Sequence, residues 1–302
     1  MDMTNRAQPD DAAPGGPTLS GLADEAGRDT HAQIAAHREL GWNAIELRLI
    51  DGLNVAGALP DDAFAAAADA VEAAGLTVTG FGSAIGNWSR AIHGDFKQDL
   101  QDLKVAIPRM QRLGVRFIRT MSWLQNGASE SDWRREAIRR YRELAAVAAD
   151  GGVVLAHENC TGWGGQSARH MRELIEEVGS DHLTVLFDIG NTISHGYEPW
   201  PFYQGVKDLI GYVHVKDCKR NPEGGASSDY AYPGEGDAMV RPILADLLSG
   251  GYRGTIAIEP HVASIIHEGG SDVPEAEKYA SYLRYARMFE DLVREARTAE
   301  AS

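Results

Sequence analysis

The sequence predicts an α/β protein made of a single (β/α)8 TIM barrel, and two observations support this prediction. Short apolar runs alternate with amphipathic stretches of helical periodicity along almost the whole chain, and eight such runs are present. Eight β/α units in about 280 residues match the length of one barrel of this type. A doubly wound open sheet is the rival fold, but the first run is followed by DEAGRDTH instead of a glycine-rich phosphate loop.

The predicted strands are the apolar runs themselves. In chain order they are Leu19–Ala23, Ala44–Leu47, Thr77–Phe81, Phe117–Thr120, Val153–His157, Leu183–Phe187, Tyr212–Val215 and Thr255–Ile258. Helical patterns lie between them, for example THAQIAAHRELG after the first run and VRPILADLLSGG before the last. Pro108 interrupts one of these patterns and is expected to kink the helix or to restart it. A closing helix is predicted over 276–297.

The ends of the chain and its charge bound the possible functions. Residues 1–17 are polar and rich in Pro and Gly, which predicts a flexible tail before a barrel that spans 18–297. Neither a signal peptide nor a run of roughly 20 apolar residues is found, so a cytoplasmic location is expected. The net charge of −15 argues against nucleic acid as a partner.

The segment 220–237 is long for a βα connection, and such loops often carry function.

Four acidic or imidazole side chains stand at the ends of four successive predicted strands. They are Glu158, Asp188, His214 and Glu259. A charge at the end of a buried strand is costly unless it meets water, a partner or a metal ion. Because the carboxyl ends of barrel strands meet at one rim, these side chains are predicted to converge on one ion. The mostly oxygen ligand set suits Mn²⁺, Mg²⁺ or Co²⁺ better than a structural Zn²⁺ site.

Several short motifs around these residues occur in a characteristic order. They are HEN at 157–159, FDIGN at 187–191, HVKD at 214–217 followed by PGEGD at 233–237, and IEPH at 258–261. In this combination the chain resembles the sugar phosphate isomerase/epimerase superfamily, whose members are xylose-isomerase-like TIM barrels. The resemblance implies that Glu158, Asp188, His214 and Glu259 bind one divalent cation, for which the ligand set favours Mn²⁺. It also implies that Glu158 and Glu259 form the acid/base pair of a sugar or keto-sugar isomerase or epimerase, which acts by proton abstraction next to a carbonyl.

The same resemblance leaves other activities open. The superfamily includes inosose dehydratases and lyases that act on 3-keto-glycosides, so metal-dependent β-elimination is the main alternative. Asn191 stands where ketose 3-epimerases commonly have His, and Asn cannot shuttle a proton. His157 is a candidate base for such a lyase if a bend turns it inward, although strand alternation would place it on the face opposite Glu158. A metal-dependent nuclease and a non-catalytic partner subunit are further alternatives, which the acidic charge and the complete ligand set respectively oppose.

Other polar residues near strand ends are candidates for contacts with a substrate. Lys216 and His261 each follow a ligand by two residues and therefore share its face. Arg220 lies six residues after the His ligand, where ketose epimerases have an arginine. The remaining candidates are Trp123, which could stack on a sugar face, and Asn191, with Glu46, Arg48 and Arg119 near earlier strand ends. A neutral small sugar is expected as substrate, and a homo-oligomer, or one with a different partner subunit, as the assembly.

Overall fold

Eight parallel strands form a nearly closed barrel in the computed structural model, which describes residues 16–263 and 273–300. The strands are β1 (Thr18–Gly21), β2 (Ala44–Leu47), β3 (Thr77–Gly82), β4 (Phe117–Ser122), β5 (Val154–Gly162), β6 (Leu183–Asp188), β7 (Ile210–Val215) and β8 (Thr255–Ile258). The predicted fold is therefore confirmed. The largest difference from the predicted strands is in β5, which continues past Glu158 to Gly162.

A helix follows each barrel strand and returns the chain to the start of the next. The helices are α1 (Thr30–Leu40), α2 (Asp61–Ala73), α3 (Phe96–Leu113), α4 (Glu130–Gly151), α5 (Ala168–Val178), α6 (Pro199–Val206), α7 (Val240–Ser249) and α8 (Glu275–Glu300). Strands β2 to β8 pair in chain order, and β8 pairs with β1. A bridge between Leu22 and Glu46 brings the end of β1 to β2. All carboxyl ends of the strands therefore lie at one rim.

Side-chain alternation divides the core into two parts. The main core lies between the strands and the helices and contains outward residues such as Leu155, Val185 and Val213. A smaller cluster fills the inside of the barrel and consists of Ala156, Leu186, Tyr212 and Ala257. Each member of this inner cluster precedes one predicted metal ligand by two residues. Because residues two apart on a strand share a face, the alternation directs all four ligands into the barrel.

A short antiparallel hairpin at the rim carries the long segment predicted to be functional. Its strands are Asp217–Cys218 and Tyr230–Ala231. The Asp217 carboxylate accepts hydrogen bonds from four backbone N–H groups at 2.8–3.1 Å, namely those of Cys218, Gly234, Gly236 and Ala238. A Cβ at Gly236 would lie 2.2 Å from Asp217 Oδ1, so only glycine allows this approach. Asp217 thus holds both ends of the loop.

Two further expectations concern the proline in helix α3 and the N-terminal tail. Helix α3 passes through Pro108 as one helix from Phe96 to Leu113, so the expected restart at this proline is wrong. Residues 1–15 of the predicted tail lie outside the described residues. Among the helices that the structure describes, none combines the length and apolarity required to cross a lipid bilayer.

Candidate metal centre and active site

The four predicted ligands lie together at the carboxyl-terminal rim of the barrel. One ligand atom from each of Glu158, Asp188, His214 and Glu259 lies within 4.8 Å of the others. All four residues are at most 2% exposed. In the described part of the chain, each also has a buried atom without a hydrogen bond: Glu158 Oε2, Asp188 Oδ2, His214 Nδ1 and Glu259 Oε2. Such atoms are costly to bury, and one divalent cation could satisfy them together, so the donor set fits the predicted metal.

Asn191 orients two of these ligands from the turn after β6. Its Nδ2 donates to Glu158 Oε1 at 3.0 Å, and its backbone N–H donates to Asp188 Oδ1 at 2.9 Å. Asn159 fixes the backbone of Asp188, because its Oδ1 accepts from the Asp188 N–H at 2.6 Å. Each carboxylate therefore has one oxygen held in place and one oxygen directed away from these bonds, as expected for ligands with outer-shell partners.

Strand β2 orients the other two ligands. The Glu46 carboxylate lies 3.0 and 3.1 Å from His214 Nε2, and Arg48 Nη1 donates to Glu259 Oε1 at 2.6 Å. Glu46 lies on β2 and Arg48 directly follows its last residue, Leu47, so the two side chains, two residues apart, both point into the barrel. The sequence placed both near a strand end but gave no sign of these partners, which follow them by 168 and 211 residues.

Lys216 adds a buried positive charge beside the ligands. Its Nζ lies 3.0 Å from Asp188 Oδ2 and 3.0 Å from Glu259 Oε2, and it donates to Asn191 Oδ1 at 3.1 Å. Burial alone would lower the pKa of this lysine, but the Asp188 and Glu259 carboxylates raise it well above its usual value. A Cβ at Gly190 would lie 2.6 Å from Lys216 Cβ, which explains the glycine of the FDIGN motif. A cation at the ligands would compete with this ammonium.

Burial and charge shift the pKa values of the ligands in different directions. Burial raises the pKa of Asp188 to about 6, although the Lys216 ammonium opposes this shift. Burial would also raise the pKa of Glu259, but Lys216, His214 and other cations hold it well below its usual range. For His214, burial would lower the pKa, whereas Glu46 and Glu259 raise it to about 10. If His214 binds a metal ion, it must therefore first release a proton.

A cavity of about 390 Å³ adjoins the ligand cluster. Glu158, Glu259, Lys216, Asn191 and His261 all line it, so these sequence candidates are brought together. The volume lies within the range of small-molecule sites. The long rim loop contributes to the lining through Ala226, Ser227, Ser228 and Tyr230, as the prediction of a functional loop required.

Two further sequence candidates, Arg119 and His261, line the cavity together with three residues to which sequence reasoning gave no substrate role. Arg119 is buried, and its Nε lacks a hydrogen-bond partner among the described residues while lying 3.6 Å from Glu158 Oε2. Trp88, His195 and Tyr230 also line the cavity. His261 lies there with a left-handed backbone, at a φ of 56°, and its Nδ1 is 2.8 Å from Glu25 Oε1. Tyr230 could have been found from its place in the long loop, whereas nothing local marks Trp88.

The structure places His157 away from the cavity. The side chain is fully buried on the outer face of β5, where Nε2 lies 3.1 Å from Ser122 Oγ and the ring packs 5.4 Å from that of Tyr141. Burial lowers the pKa of His157 to about 3. Strand alternation prevails at this position because β5 continues without turning the side chain inward, so the structure does not support the expected role as a base.

Trp123 and Arg220 also lie away from the cavity lining. Trp123 follows the last residue of β4 with a φ of 58°, and its indole N–H donates to Asp99 at 2.9 Å within the helix layer. Alternation alone would have directed it inward, and the left-handed backbone reverses that direction. Arg220 forms a two-point ion pair with Glu198 at the surface, with both contacts at 2.8 Å. The structure therefore does not bring these two predicted substrate contacts to the cavity.

Comparison with known proteins now identifies the family. A family model described as xylose isomerase-like TIM barrel matches residues 34–287, and the chain belongs to this family. The chain is similar to an inosose dehydratase of Lacticaseibacillus casei, with 24% identity over 143 residues that cover 43% of this chain and 48% of the relative. The chain thus spans about half the length of the curated relatives it matches.

Solved structures show the same fold over nearly the whole chain. The IolI protein with a bound zinc atom aligns with a TM-score of 0.71 and 16% identity over 92% of this chain and 99% of its own. The 3-keto-D-glucoside 4-epimerase YcjR of E. coli aligns with a TM-score of 0.65 and 18% identity over 90% of this chain and 99% of its own. At these identities the likeness establishes the fold, and the predicted superfamily is confirmed.

Proposed function

We propose that the protein is a divalent-metal-dependent enzyme that removes a proton next to a carbonyl group of a sugar, keto-sugar or cyclitol and isomerises or epimerises it. The observation that carries this proposal is the convergence of Glu158, Asp188, His214 and Glu259 beside a cavity, where each has one buried atom that lacks a hydrogen bond among the described residues. The relatives named as an inosose dehydratase and a 3-keto-D-glucoside epimerase support the substrate class.

The donor set favours Mn²⁺, with Mg²⁺ and Co²⁺ as alternatives. Three carboxylates and one imidazole offer mostly hard oxygen donors, and the absence of a Cys ligand from the set speaks against a structural zinc site. The zinc atom of the IolI structure makes Zn²⁺ a further ion to test. When bound, the cation would supply positive charge that stabilises the oxygen on which negative charge grows during proton removal.

The contacts distinguish the two carboxylates proposed as the acid/base pair. Glu259 is held by Arg48 at 2.6 Å and by Lys216 at 3.0 Å, so two cations stabilise its charge. Glu158 accepts one hydrogen bond from the neutral amide of Asn191, and Arg119 approaches it no closer than 3.6 Å. Glu158 is therefore the better candidate to remove the proton, and Glu259 to return one at the other face.

The positively charged side chains that line the cavity already lie beside carboxylates, which favours a substrate without charge. The lining contains two residues with permanent positive charge, Lys216 and Arg119. Lys216 is paired with Asp188 and Glu259, and Arg119 lies within 3.7 Å of both Glu158 and Glu259. A phosphate group would have to displace these carboxylates, which makes an unphosphorylated sugar or cyclitol the better fit.

Elimination of water or of an aglycone is the second candidate function. Asn191 stands where ketose 3-epimerases commonly have His, and its amide is already committed to Glu158 and Lys216. It can orient a hydroxyl group but cannot accept a proton from it. The similarity to inosose dehydratases favours the same outcome.

The experiment is incubation of the Mn²⁺-loaded protein with ketopentoses, ketohexoses and keto-inositols in deuterated water. Isomerisation or epimerisation conserves the skeleton and adds solvent deuterium beside the carbonyl, whereas dehydration yields a product lighter by one water. Glu158→Gln should abolish either reaction, and the exposed Glu143→Gln should retain it. Turnover without deuterium at any carbon, in a reaction that conserves mass, would contradict proton abstraction.

A further inference from the structure

Glu46 is a buried carboxylate inside the barrel, just below the metal ligands. It is 1% exposed, and both of its oxygens lie within 3.1 Å of His214 Nε2. Oε2 also accepts a hydrogen bond from the Tyr212 hydroxyl at 2.8 Å. Glu46 belongs to β2, which contributes no residue to the proposed ligand set. Its buried carboxylate is instead stabilised by the contacts with His214 and Tyr212.

A chain of hydroxyl groups fixes the position of Glu46. Tyr212 shares a 2.9 Å hydrogen bond with Thr79 Oγ1, which shares another of 2.9 Å with Ser20 Oγ. Residues of β1, β2, β3 and β7 therefore meet inside the barrel. A carboxylate held in this way cannot follow the imidazole if the ring turns, so it defines one orientation of His214.

The orientation of His214 matters because its two nitrogens are used differently. Nε2 faces Glu46, whereas Nδ1 lacks a hydrogen bond among the described residues and lies 3.5 Å from Glu259 Oε2. A neutral imidazole has one N–H and one lone pair. If Glu46 accepts the Nε2–H, the lone pair must be on Nδ1, on the side of the other ligands.

We propose that Glu46 is a positioning residue for the metal centre, which accepts the Nε2–H of His214 and thereby presents the Nδ1 lone pair to the divalent cation. The inference rests on the proposed function only in requiring that Glu158, Asp188, His214 and Glu259 bind a metal ion. It assigns a role to a residue of β2, which lies far from the ligand strands β5 to β8 along the chain. Partners of this kind are worth about 10- to 100-fold in metal affinity.

The test measures Mn²⁺ affinity without any sugar, from the signal of free Mn²⁺ in electron paramagnetic resonance. Glu46→Leu should bind Mn²⁺ about 10- to 100-fold more weakly than the unmodified protein. Glu46→Gln should lose less, because its amide oxygen can still accept the Nε2–H. Tyr212→Phe, which removes only a hydroxyl group, should cause a smaller loss and provides a test if the Glu46 variants do not fold. The exposed Glu143→Gln is the matched control and should bind like the unmodified protein.

A double-mutant cycle separates positioning from simple charge attraction. If Glu46 acts through His214, Glu46→Leu should cause little further loss in a His214→Ala background. An equal loss in both backgrounds would overturn the proposal, as would a folded Glu46→Leu protein whose Mn²⁺ affinity is within about twofold of the original. Mn²⁺ binding without turnover of any sugar would contradict the proposed enzyme activity but leave this assignment standing.

Discussion

Removal of divalent metal should lower the thermal stability of the protein by an amount that the site makes calculable. Glu158, Asp188 and Glu259 place three carboxylates in a buried cluster, so a cation that binds there binds the folded chain and not the unfolded one. Such a ligand stabilises the folded state by about 2.7 kcal/mol when it is present at 100 times its Kd. The shift in Tm follows from the unfolding entropy.

The size of the chain sets the expected shift. At about 2.1 cal/mol/K per residue, the 302 residues give an unfolding entropy of about 0.6 kcal/mol/K. A stabilisation of about 2.7 kcal/mol therefore raises Tm by about 4 °C. Asp188→Asn removes one negative ligand, and a 100-fold loss in affinity would leave only about 0.4 kcal/mol at the same metal concentration. The shift for that variant should then be below about 1 °C.

The assay is differential scanning calorimetry of the chelator-treated protein before and after Mn²⁺, Mg²⁺, Co²⁺ or Zn²⁺ is added back. Glu143→Gln, which changes a carboxylate on the exposed face of α4, should keep the full shift and controls for general effects of charge. A protein that folds normally and shows the same Tm with all four ions at millimolar concentration would refute the metal centre. An undiminished shift in Asp188→Asn would show that the ion binds elsewhere.

Three further predictions concern residues around the site and in the helix layer. Lys216→Met should tighten Mn²⁺ binding by about tenfold or more in the same titration, because an ammonium 3.0 Å from two ligand oxygens repels the cation. Burial lowers the pKa of His37 from 6.5 to about 4. The contribution of this shift to the free energy of unfolding is therefore complete above pH 6.5 and is lost as the pH falls toward 4. Urea unfolding of His37→Gln should therefore show a smaller loss of stability over this window, by up to about 3 kcal/mol. Asp217→Asn should cost about 2–3 kcal/mol and expose the rim loop to limited proteolysis, because four backbone N–H groups lose a charged acceptor.

Each of these three predictions has a matched control on an exposed residue of the same type. Lys219→Met, His31→Gln and Asp229→Asn should behave like the unmodified protein in the titration, the pH series and the proteolysis respectively. Weaker Mn²⁺ binding in Lys216→Met would show that the ammonium supports the cation. A pH dependence that His37→Gln leaves unchanged would assign the acid sensitivity to other groups. Equal cleavage of both aspartate variants would contradict the role given to Asp217.

The convergence of the four proposed ligands could be predicted from the sequence because their signal is local. Each of Glu158, Asp188, His214 and Glu259 ends an apolar run, and the barrel brings the ends of consecutive strands to one rim. The same reasoning failed at Trp123, because a single left-handed residue after β4 reverses the direction in which alternation points. Period-two alternation is dependable within a strand, and its prediction for His157 as an outward residue agrees with the structure.

The supporting residues could not be predicted because their partners are remote in sequence. Glu46 lies on the short strand β2 and Arg48 directly follows it, yet they contact His214 and Glu259 across the barrel. No local pattern distinguishes them from other polar residues at the end of a strand. Their roles follow only when closure of the barrel brings the side chains of the β2 segment into contact with those of β7 and of the residue after β8.

The barrel thus separates the residues proposed to bind the cation from the residues that orient them. Strands β5 to β8 carry the four proposed ligands, while Glu46 on β2 and Arg48 just after it hold two of them and Asn191 holds the other two. Because each ligand has one atom fixed by the chain, a cation finds the donor atoms already oriented and need not order them on binding. The geometry of the proposed centre therefore depends on the β2 segment as much as on the ligands, and we expect substitutions elsewhere in the cavity to change the reaction without loss of the metal ion. Residues that line the cavity without holding a ligand, such as His195 and Tyr230, are accordingly where a choice between epimerisation and elimination would be made.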